Sequence, residues 1–166
     1  MPTAYGSRFA AQRAELMKRV SRIGFFQKLS GDEQRELIDY GKFSSFNDGE
    51  EIFDEGAKSN HSMYFVVTGN VEIQLSGYQA DDGTSTVATM EPGDLFGEIA
   101  VLDNMPRSAS ARAKGPITIL GLELFPSDPN LPPPPPELTI KILKHIGEGL
   151  CRKLRDTNKI LLHARS

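Results

Sequence analysis

The sequence predicts a mainly β fold with flanking α-helices. Between residues 42 and 124, eight short runs rich in β-forming residues are separated by Gly, Pro, Asn and Asp. The segments before and after this region repeat apolar residues at helical spacing instead. Eight short strands in about 80 residues imply a closed antiparallel roll or a sandwich rather than a fold of alternating strands and helices.

Length and composition narrow the class of protein. The 166 residues correspond to one globular domain with small extensions, and 39% hydrophobic with 25% charged residues can form a buried core. No apolar run approaches the ~20 residues that span a bilayer, and the N-terminus has no signal-peptide pattern. A single cysteine, Cys151, excludes an intramolecular disulfide, and we expect it to be a small buried apolar residue. The three histidines lack metal-ligand spacing, so we expect no metal. Taken together, these observations predict a cytoplasmic protein with no cofactor and no membrane contact.

Charge is distributed unevenly along the chain. Residues 1–30 carry a net charge of +5, residues 31–136 a net charge of −12, and residues 137–166 a net charge of +4. An acidic body between two basic ends indicates that the ends pack on the body or on a partner. Solvated helix faces explain the same pattern equally well.

The N-terminal region predicts two helices. In the first, Ser7–Ile23, apolar residues recur at helical spacing at Phe9, Leu16, Met17, Val20 and Ile23. Ser30 with Glu33 three residues later forms a capping box that opens a second, short helix. This helix should end near Gly41.

The β region predicts eight strands with glycines at their ends. The strands are Lys42–Phe46, Glu51–Phe53, Ser62–Thr68, Asn70–Leu75, Thr84–Met90, Asp94–Phe96, Ser108–Ala113 and Ile117–Leu124. Five glycines lie at the breaks, where a positive φ is least unfavourable: Gly49, Gly56, Gly69, Gly83 and Gly93.

Two further segments follow the strands. Phe125–Pro136 contains five consecutive prolines, which favour a stiff polyproline II spacer and are a less favoured docking site for a proline-binding module. Glu137–Ala164 predicts one long helix with a heptad seam formed by Leu143, Gly147, Leu150, Leu154, Thr157, Leu161 and Ala164. The seam can pack on its own domain or on a twin helix, and we favour a homodimer.

The stretch Pro92–Ala113 carries the clearest chemistry. Gly97 lets the backbone turn tightly and approach a ligand, and the helical turn that begins at Glu98 offers free N–H groups to an anion. Arg107 can bind a phosphate through two N–H groups, and Ser108 adds a hydroxyl donor. The Glu98 carboxylate would repel an anion, so it needs another partner, such as a sugar hydroxyl. Together these groups suit a phosphate fused to a ribose.

This stretch resembles the phosphate-binding cassette of the cyclic nucleotide-binding domains, as in bacterial catabolite activator proteins and regulatory subunits of cAMP-dependent protein kinase. That cassette reads F-G-E-[IL]-A-L, a short variable stretch, then P-R-[AST]-A. Phe96–Leu102 and Pro106–Ala109 stand in those places. The resemblance covers about Phe25–Phe125 and the C-terminal helix.

The resemblance implies an eight-stranded β-roll that encloses a cyclic mononucleotide, cAMP or cGMP. By the family pattern, Arg107 binds the cyclic phosphate with Ser108 and the amides near Ala100, Glu98 takes the ribose 2′-hydroxyl, and Gly97 allows the close approach. The remaining expected ligand-binding residues are Phe96, Ile99 and Ala109 of the cassette, Ile73 and Val87 beside the base, and Thr157 and Asn158 of the C-terminal helix over the base.

The sequence therefore predicts a stand-alone receptor for cAMP or cGMP that signals to a partner protein through its C-terminal helix. We expect no enzyme, because no nucleophile–base–acid set is present, and no nucleic-acid binding, because no recognition helix follows the C-terminal helix. Two alternatives remain: an interaction scaffold of the same fold without a ligand, and a receptor for a cyclic dinucleotide that uses Arg107 and Arg112. Arg112 is otherwise expected to face solvent from a strand.

Four segments are expected along the chain. Residues 1–24 form a basic amphipathic helix, and residues 25–125 form the roll. Residues 126–136 form the Pro-rich linker, which replaces the short hinge helix usual in the family. Residues 137–166 form the C-terminal helix, which covers the ligand or mediates dimerisation.

Overall fold

Helices flank a β region in the order that the sequence predicts. The computed structural model describes residues 4–58, 60–77 and 83–164. The helices are α1 (Ala4–Val20), α2 (Gly31–Tyr40), α3 (Glu98–Asp103) and α4 (Pro136–Ala164), with a 3-10 turn at Phe26–Lys28. The strands are β1 (Lys42–Phe46), β2 (Glu51–Phe53), β3 (Ser62–Ser76), β4 (Thr84–Met90), β5 (Leu95–Phe96) and β6 (Ser110–Glu123).

Two long strands organise the sheet. Within the described residues, the strand order is β1-β6-β3-β4, with β2 also paired to β6 and β5 also paired to β3, and every pairing is antiparallel. β3 and β6 run side by side from the pair Ser62–Glu123 to the pair Gln74–Ser110. The first part of β3 also pairs with β5, and its second part pairs with β4.

The predicted number of eight strands is wrong, because four of the predicted strands join in pairs. Ser62–Thr68 and Asn70–Leu75 are parts of β3, and the last two predicted strands are parts of β6, so the described residues contain six strands. The chain bends at Gly69 without leaving the sheet: the register shifts on both sides of Thr68, and Gly69 has a φ of +76°. A Cβ atom at Gly69 would lie 2.4 Å from the carbonyl oxygen of Pro116, so the two strands need a glycine at this bend.

The glycine and capping predictions are confirmed. All five glycines predicted at the strand breaks have a positive φ. The Ser30 hydroxyl accepts a hydrogen bond from the backbone N–H of Glu33, and the Glu33 carboxylate accepts one from the backbone N–H of Ser30. α2 ends at Tyr40, but Gly41 has an ordinary φ of −81°. The glycine is needed there for space, since a Cβ atom would lie 2.4 Å from Cδ1 of Leu120.

Apolar packing joins the N-terminal turn to the sheet and fills the roll. The rings of Phe25, Phe26 and Phe65 pack against one another with centroids 5.3–5.6 Å apart. A second cluster lies between the strands and consists of Val66, Val71, Phe96, Ala111, Ala113, Ile117 and Ile119. Phe9, the first apolar residue of the predicted N-terminal helix, lies on α1, but its side chain is outside the described residues.

The chain divides into two compact units, Met1–Pro133 and Pro134–Ser166. The second unit is mostly α4, the predicted long helix. The expectation that Cys151 is buried is wrong, because it is exposed, as is every described residue of α4 that follows it. Leu154 and Leu161 of the predicted seam are 62% and 56% exposed, and the homodimer stays a prediction.

The described part of the chain contains neither a helix suited to span a membrane nor a cluster of metal ligands. None of its helices is both long enough and apolar enough to cross a membrane. No group of three or more His, Cys, Asp or Glu side chains within the described ranges could hold a metal ion.

Candidate functional site

The predicted phosphate-binding stretch forms a tight turn followed by a short helix. β5 ends at Phe96, which is 1% exposed, and Gly97 then takes a left-handed conformation with a φ of +75°. α3 follows at once and buries Glu98, Ala100 and Val101. Glycine adopts this positive φ without the steric penalty that other residues incur.

Arg107 is a buried cation held by three hydrogen bonds. Its residue is only 4% exposed. Nη1 donates to the carbonyl oxygen of Gly97 at 2.8 Å, and Nη2 donates to the carbonyl oxygen of Ser62 at 2.8 Å and to Oδ1 of Asn60 at 2.6 Å. These bonds tie together the two ends of the predicted cassette and the start of β3.

Aromatic rings line the same guanidinium. The Arg107 Cζ atom lies 4.3 Å from the ring centroid of Phe53 and 5.8 Å from that of Tyr64. Tyr64 stacks in turn on Phe53 and on Phe96. A Cβ atom at Gly97 would lie 3.0 Å from Nη1 of Arg107 and 3.3 Å from the Tyr64 ring, so a side chain there would require these neighbours to shift by a few tenths of an ångström.

The backbone at Arg107 is fixed to the loop after β2. Its N–H donates to the carbonyl oxygen of Ala57 at 2.9 Å, and its carbonyl oxygen accepts from the N–H of Gly56 at 2.8 Å. The N–H of Glu55 donates to the hydroxyl of Ser110 at 2.9 Å. The loop and the chain around Arg107 are thus paired on both sides of the arginine.

Among the residues that the structure describes, no carboxylate balances the charge of Arg107. Burial lowers the pKa of Arg107, an effect that Tyr64 opposes in part, yet an arginine remains protonated at neutral pH. No Asp or Glu among the described residues lies within ion-pair distance of it. The three hydrogen bonds to described residues use three of its five N–H donors.

Glu98 is the second buried charged residue of the site. It is 5% exposed and occupies the first position of α3, directly after Gly97. A carboxylate in the first turn of a helix is stabilised by the helix dipole. Glu98 follows Gly97 directly in the chain, and Arg107 donates a hydrogen bond to the carbonyl oxygen of Gly97. The two buried charged residues are therefore both attached to this glycine.

The other predicted site residues lie in varied surroundings. In the cassette, Ala100 is buried, Ile99 is 41% exposed, Ser108 is exposed and Ala109 is half-buried. Ile73 packs against the core cluster of the roll, while Val87, on the neighbouring strand β4, is 53% exposed.

Thr157 and Asn158 are exposed on α4 in the second unit, and the Thr157 hydroxyl donates to the carbonyl oxygen of Lys153. The predicted contacts of these residues with a ligand stay predictions.

Arg112 faces the outer side of β6, as expected for a solvent-facing strand residue. Its neighbours Ala111 and Ala113 are buried, and its own guanidinium binds the Glu51 carboxylate at 3.0 Å. Asp54 lies 3.8 Å from the same nitrogen. Arg112 therefore has carboxylate partners of its own, whereas Arg107 has none among the described residues.

Four residues around Arg107 were not predicted from the sequence: Phe53, Asn60, Ser62 and Tyr64. Each lies more than 40 residues before Arg107, and no local pattern connects positions so far apart. Asn60 gives one weak signal, since asparagine two residues before a serine favours a side-chain-to-backbone turn. The N–H of Ser62 does donate to Oδ1 of Asn60 at 3.2 Å.

Comparison with known proteins decides the family. Residues 43–124 match the family model described as "Cyclic nucleotide-binding domain". Residues 43–124 form a cyclic nucleotide-binding domain. The match covers β2 to β6 and all but the first residue of β1, including the described residues that contact Arg107.

Individual relatives agree with this family. The chain is 28% identical over 104 residues to a cAMP-dependent protein kinase regulatory subunit of Mycosarcoma maydis, covering 63% of this chain and 19% of the relative. The chain thus spans about a fifth of the length of that curated relative. Among solved structures, it is similar to a cyclic nucleotide-binding domain from Methylobacillus flagellatus, with a TM-score of 0.69 and 26% identity over 90% of this chain and 82% of that one. It is also similar to the catabolite activator protein of Thermus thermophilus, with a TM-score of 0.65 and 25% identity over 82% of this chain and 61% of that one.

Proposed function

We propose that this domain is a receptor for a cyclic mononucleotide, cAMP or cGMP, and that Arg107 binds the cyclic phosphate. The observation that carries the proposal is the buried guanidinium without a described carboxylate partner. A buried cation is strongly destabilising unless an anion or dipoles compensate it. Carbonyl and amide oxygens supply the dipoles in this chain, and a bound anion would supply the missing charge.

The charges of the site favour a cyclic phosphodiester over a phosphate monoester. One cation, Arg107, and one carboxylate, Glu98, are buried next to Gly97. A cyclic phosphodiester carries a single negative charge, which one guanidinium compensates, while a monoester carries close to two at neutral pH. A ribose 2′-hydroxyl can donate a hydrogen bond to this carboxylate. We propose that Ser108, the amides near Ala100, and the base contacts predicted from the sequence complete the site.

We propose further that the domain is regulatory rather than enzymatic. A ligand that binds one arrangement of the protein better than another shifts the population toward it. In this proposal α4 carries the change to a partner protein. Amide hydrogen exchange along α4, compared with and without cAMP, tests this step: altered protection supports it, and identical protection contradicts it.

A second candidate function, a ligand-free interaction module, is favoured by one observation. Arg107 already has three protein acceptors and an aromatic ring against its guanidinium, and it is only 4% exposed. An arginine satisfied in this way can serve the fold alone. The proposed receptor therefore requires the ligand to reach N–H donors of Arg107 that these three bonds do not use.

Isothermal titration calorimetry of the purified chain distinguishes the two functions. The protein, at about 100 μM, is titrated with cAMP and with cGMP. At this protein concentration, a binding free energy of about −5.5 kcal/mol or more favourable is detected. The matched controls are 5′-AMP, which is a monoester, and adenosine, which lacks the phosphate. Saturable binding of a cyclic nucleotide that exceeds both controls supports the receptor. No binding of either cyclic nucleotide supports the ligand-free module.

A cyclic dinucleotide is the third ligand to be titrated. The outer position of Arg112 and its pairing with Glu51 give a second phosphate no free arginine at that place. We therefore expect no binding of a cyclic dinucleotide. Tighter binding of the dinucleotide than of cAMP and cGMP would contradict the proposed ligand class.

A further inference from the structure

We propose that Phe53 and Asn60 are positioning residues, which fix the guanidinium of Arg107 in its binding orientation before any ligand arrives. This inference rests on the proposed function and adds two residues that the cassette does not contain. Phe53 lies against the guanidinium, with 4.3 Å between Cζ and the ring centroid, and Asn60 accepts a hydrogen bond from Nη2 at 2.6 Å.

Asn60 is itself held in place by its neighbours. Its Oδ1 also accepts a hydrogen bond from the N–H of Ser62, and its Nδ2 donates to the hydroxyl of Tyr64 at 3.2 Å. His61, between Asn60 and Ser62, adopts a left-handed φ of 58°, which is uncommon for a residue other than glycine. These contacts give Asn60 one orientation, in which its acceptor points at Arg107.

Phe53 acts from a different element. It is the last residue of β2, pairs with Ala111 of β6, and packs against the core cluster. Tyr64 stacks on it with 6.0 Å between ring centroids. The ring is therefore anchored by the sheet, and its electron-rich face attracts the buried cation.

Asn60 is a neutral acceptor, and this matters for the ligand. An amide oxygen orients a guanidinium without cancelling its charge, whereas a carboxylate would cancel it. Arginine has many rotamers, and fixing them at the moment of binding would weaken the affinity. Phe53 and Asn60 fix the side chain during folding, so the positive charge is oriented while no carboxylate among the described residues neutralises it.

The test is a double-mutant cycle on the whole chain, measured by calorimetry with cAMP and cGMP. We expect Asn60→Ala and Phe53→Leu each to raise the Kd by ~5–10-fold, the range expected for one charge-assisted hydrogen bond or one cation–π contact. In an Arg107→Ala background, the same two changes should leave the residual Kd unchanged within about twofold, because a positioning residue acts only through the arginine.

Two control variants accompany the cycle. Phe46→Leu removes a phenyl ring that packs on the same core cluster, whereas the described rings against the Arg107 guanidinium are those of Phe53 and Tyr64. Asn47→Ala removes an exposed asparagine that binds Glu50. Both should leave the Kd unchanged in either background. The inference is overturned if Phe53→Leu changes the Kd by as much as Phe46→Leu does. It is also overturned if Phe53→Leu has the same effect in the unmodified chain and in the Arg107→Ala background, because either result shows a merely structural role. Tighter binding by Asn60→Ala would make Asn60 a competitor of the phosphate and overturn its assignment.

Nuclear magnetic resonance of the guanidinium tests the same inference without a ligand. Hindered rotation should give resolved, slowly exchanging Nη signals for Arg107 in the unmodified chain. Those signals should broaden or vanish in Asn60→Ala and Phe53→Leu, while the backbone amide spectrum stays unchanged. Retention of the signals in both variants overturns the inference. A chain that binds neither cAMP nor cGMP would contradict the proposed function. The spectra would still decide whether Phe53 and Asn60 position Arg107, because this readout needs no nucleotide.

Discussion

The guanidinium of Arg107 donates through Nη1 to the carbonyl oxygen of Gly97 at 2.8 Å. This bond connects the glycine turn before α3 to the arginine that follows the helix, so the two parts of the cassette act as one structural unit. A Cβ atom at the same glycine would lie 3.0 Å from Nη1 of Arg107, which is closer than ordinary van der Waals contact. The close approach of backbone and arginine is therefore favoured by glycine at position 97.

The first prediction concerns Arg107 itself. Arg107→Ala should weaken cyclic nucleotide binding by ~2–4 kcal/mol, because a charge-assisted, buried contact to the phosphate is lost. Arg107→Lys should restore only part of this, since an ammonium cannot form the two-pronged contact of a guanidinium. Calorimetry measures both, with circular dichroism to verify folding. Arg112→Ala is the matched control, and a loss of affinity in that variant equal to Arg107→Ala would contradict the assignment.

The second prediction separates the roles of the two buried charges. Glu98→Gln should leave the phosphate contact in place and reduce the preference for cAMP over 2′-deoxy-cAMP by about 1 kcal/mol, because a neutral amide accepts a weaker hydrogen bond from the ribose hydroxyl. Titrations with both nucleotides measure the preference. Glu50→Gln, at an exposed carboxylate bound to Asn47, is the control. An unchanged preference in Glu98→Gln would place the ribose elsewhere.

The third prediction uses two glycines with the same backbone conformation. Gly97 and Gly49 both have a φ of +75°, but a Cβ atom at Gly49 would have nothing within 4 Å, while one at Gly97 would lie 3.0 Å from Nη1 of Arg107. Alanine at Gly49 should lower the free energy of unfolding by about 1–2 kcal/mol, the effect of a left-handed backbone alone. Alanine at Gly97 should lower it further and abolish nucleotide binding. Urea denaturation and calorimetry check this, and equal effects of the two variants would show that the contact with Arg107 is unimportant.

The fourth prediction concerns pH. The backbone N–H and then the hydroxyl of Ser76 donate to the Glu55 carboxylate, and these bonds lower the pKa of Glu55. A carboxyl whose pKa is lower in the folded chain stabilises that chain above its unfolded pKa, and the contribution is lost as the pH falls through the lowered value. Ser76→Ala removes the hydroxyl bond and should raise the pKa of Glu55 part of the way toward its ordinary value. Carboxyl chemical shifts followed by NMR during an acid titration measure it.

The control for this titration lies in the same spectra. The pKa of Glu50 is lowered by the backbone and side chain of Asn47, which Ser76 does not contact. It should therefore keep its value in Ser76→Ala. A parallel shift of Glu50 would indicate a change of the whole fold, and an unchanged Glu55 would show that the hydroxyl bond contributes nothing.

Local features of the fold could be predicted from the sequence because their causes are local. Ser30 and Glu33 are three residues apart, so their reciprocal capping bonds depend on one turn of helix. Positive φ at glycines such as Gly69 follows from the absence of a Cβ atom. The strand number was wrong because the same glycine can end a strand or bend it. Only the pairing of β3 with β6 on both sides of Gly69 keeps the chain in the sheet.

The amino-acid sequence by itself determined the order of the elements, the glycine turn at Gly97, and the presence of Glu98 and Arg107 at the spacing of a cyclic nucleotide-binding domain. The tertiary structure decided what surrounds the arginine. Phe53 and Asn60 reach Arg107 only because antiparallel pairing brings β2, the loop after it and the start of β3 to the end of the cassette. Contacts across more than 40 residues depend on the register of a folded sheet, which no local pattern encodes, and that register leaves Arg107 buried, oriented and without a described carboxylate partner.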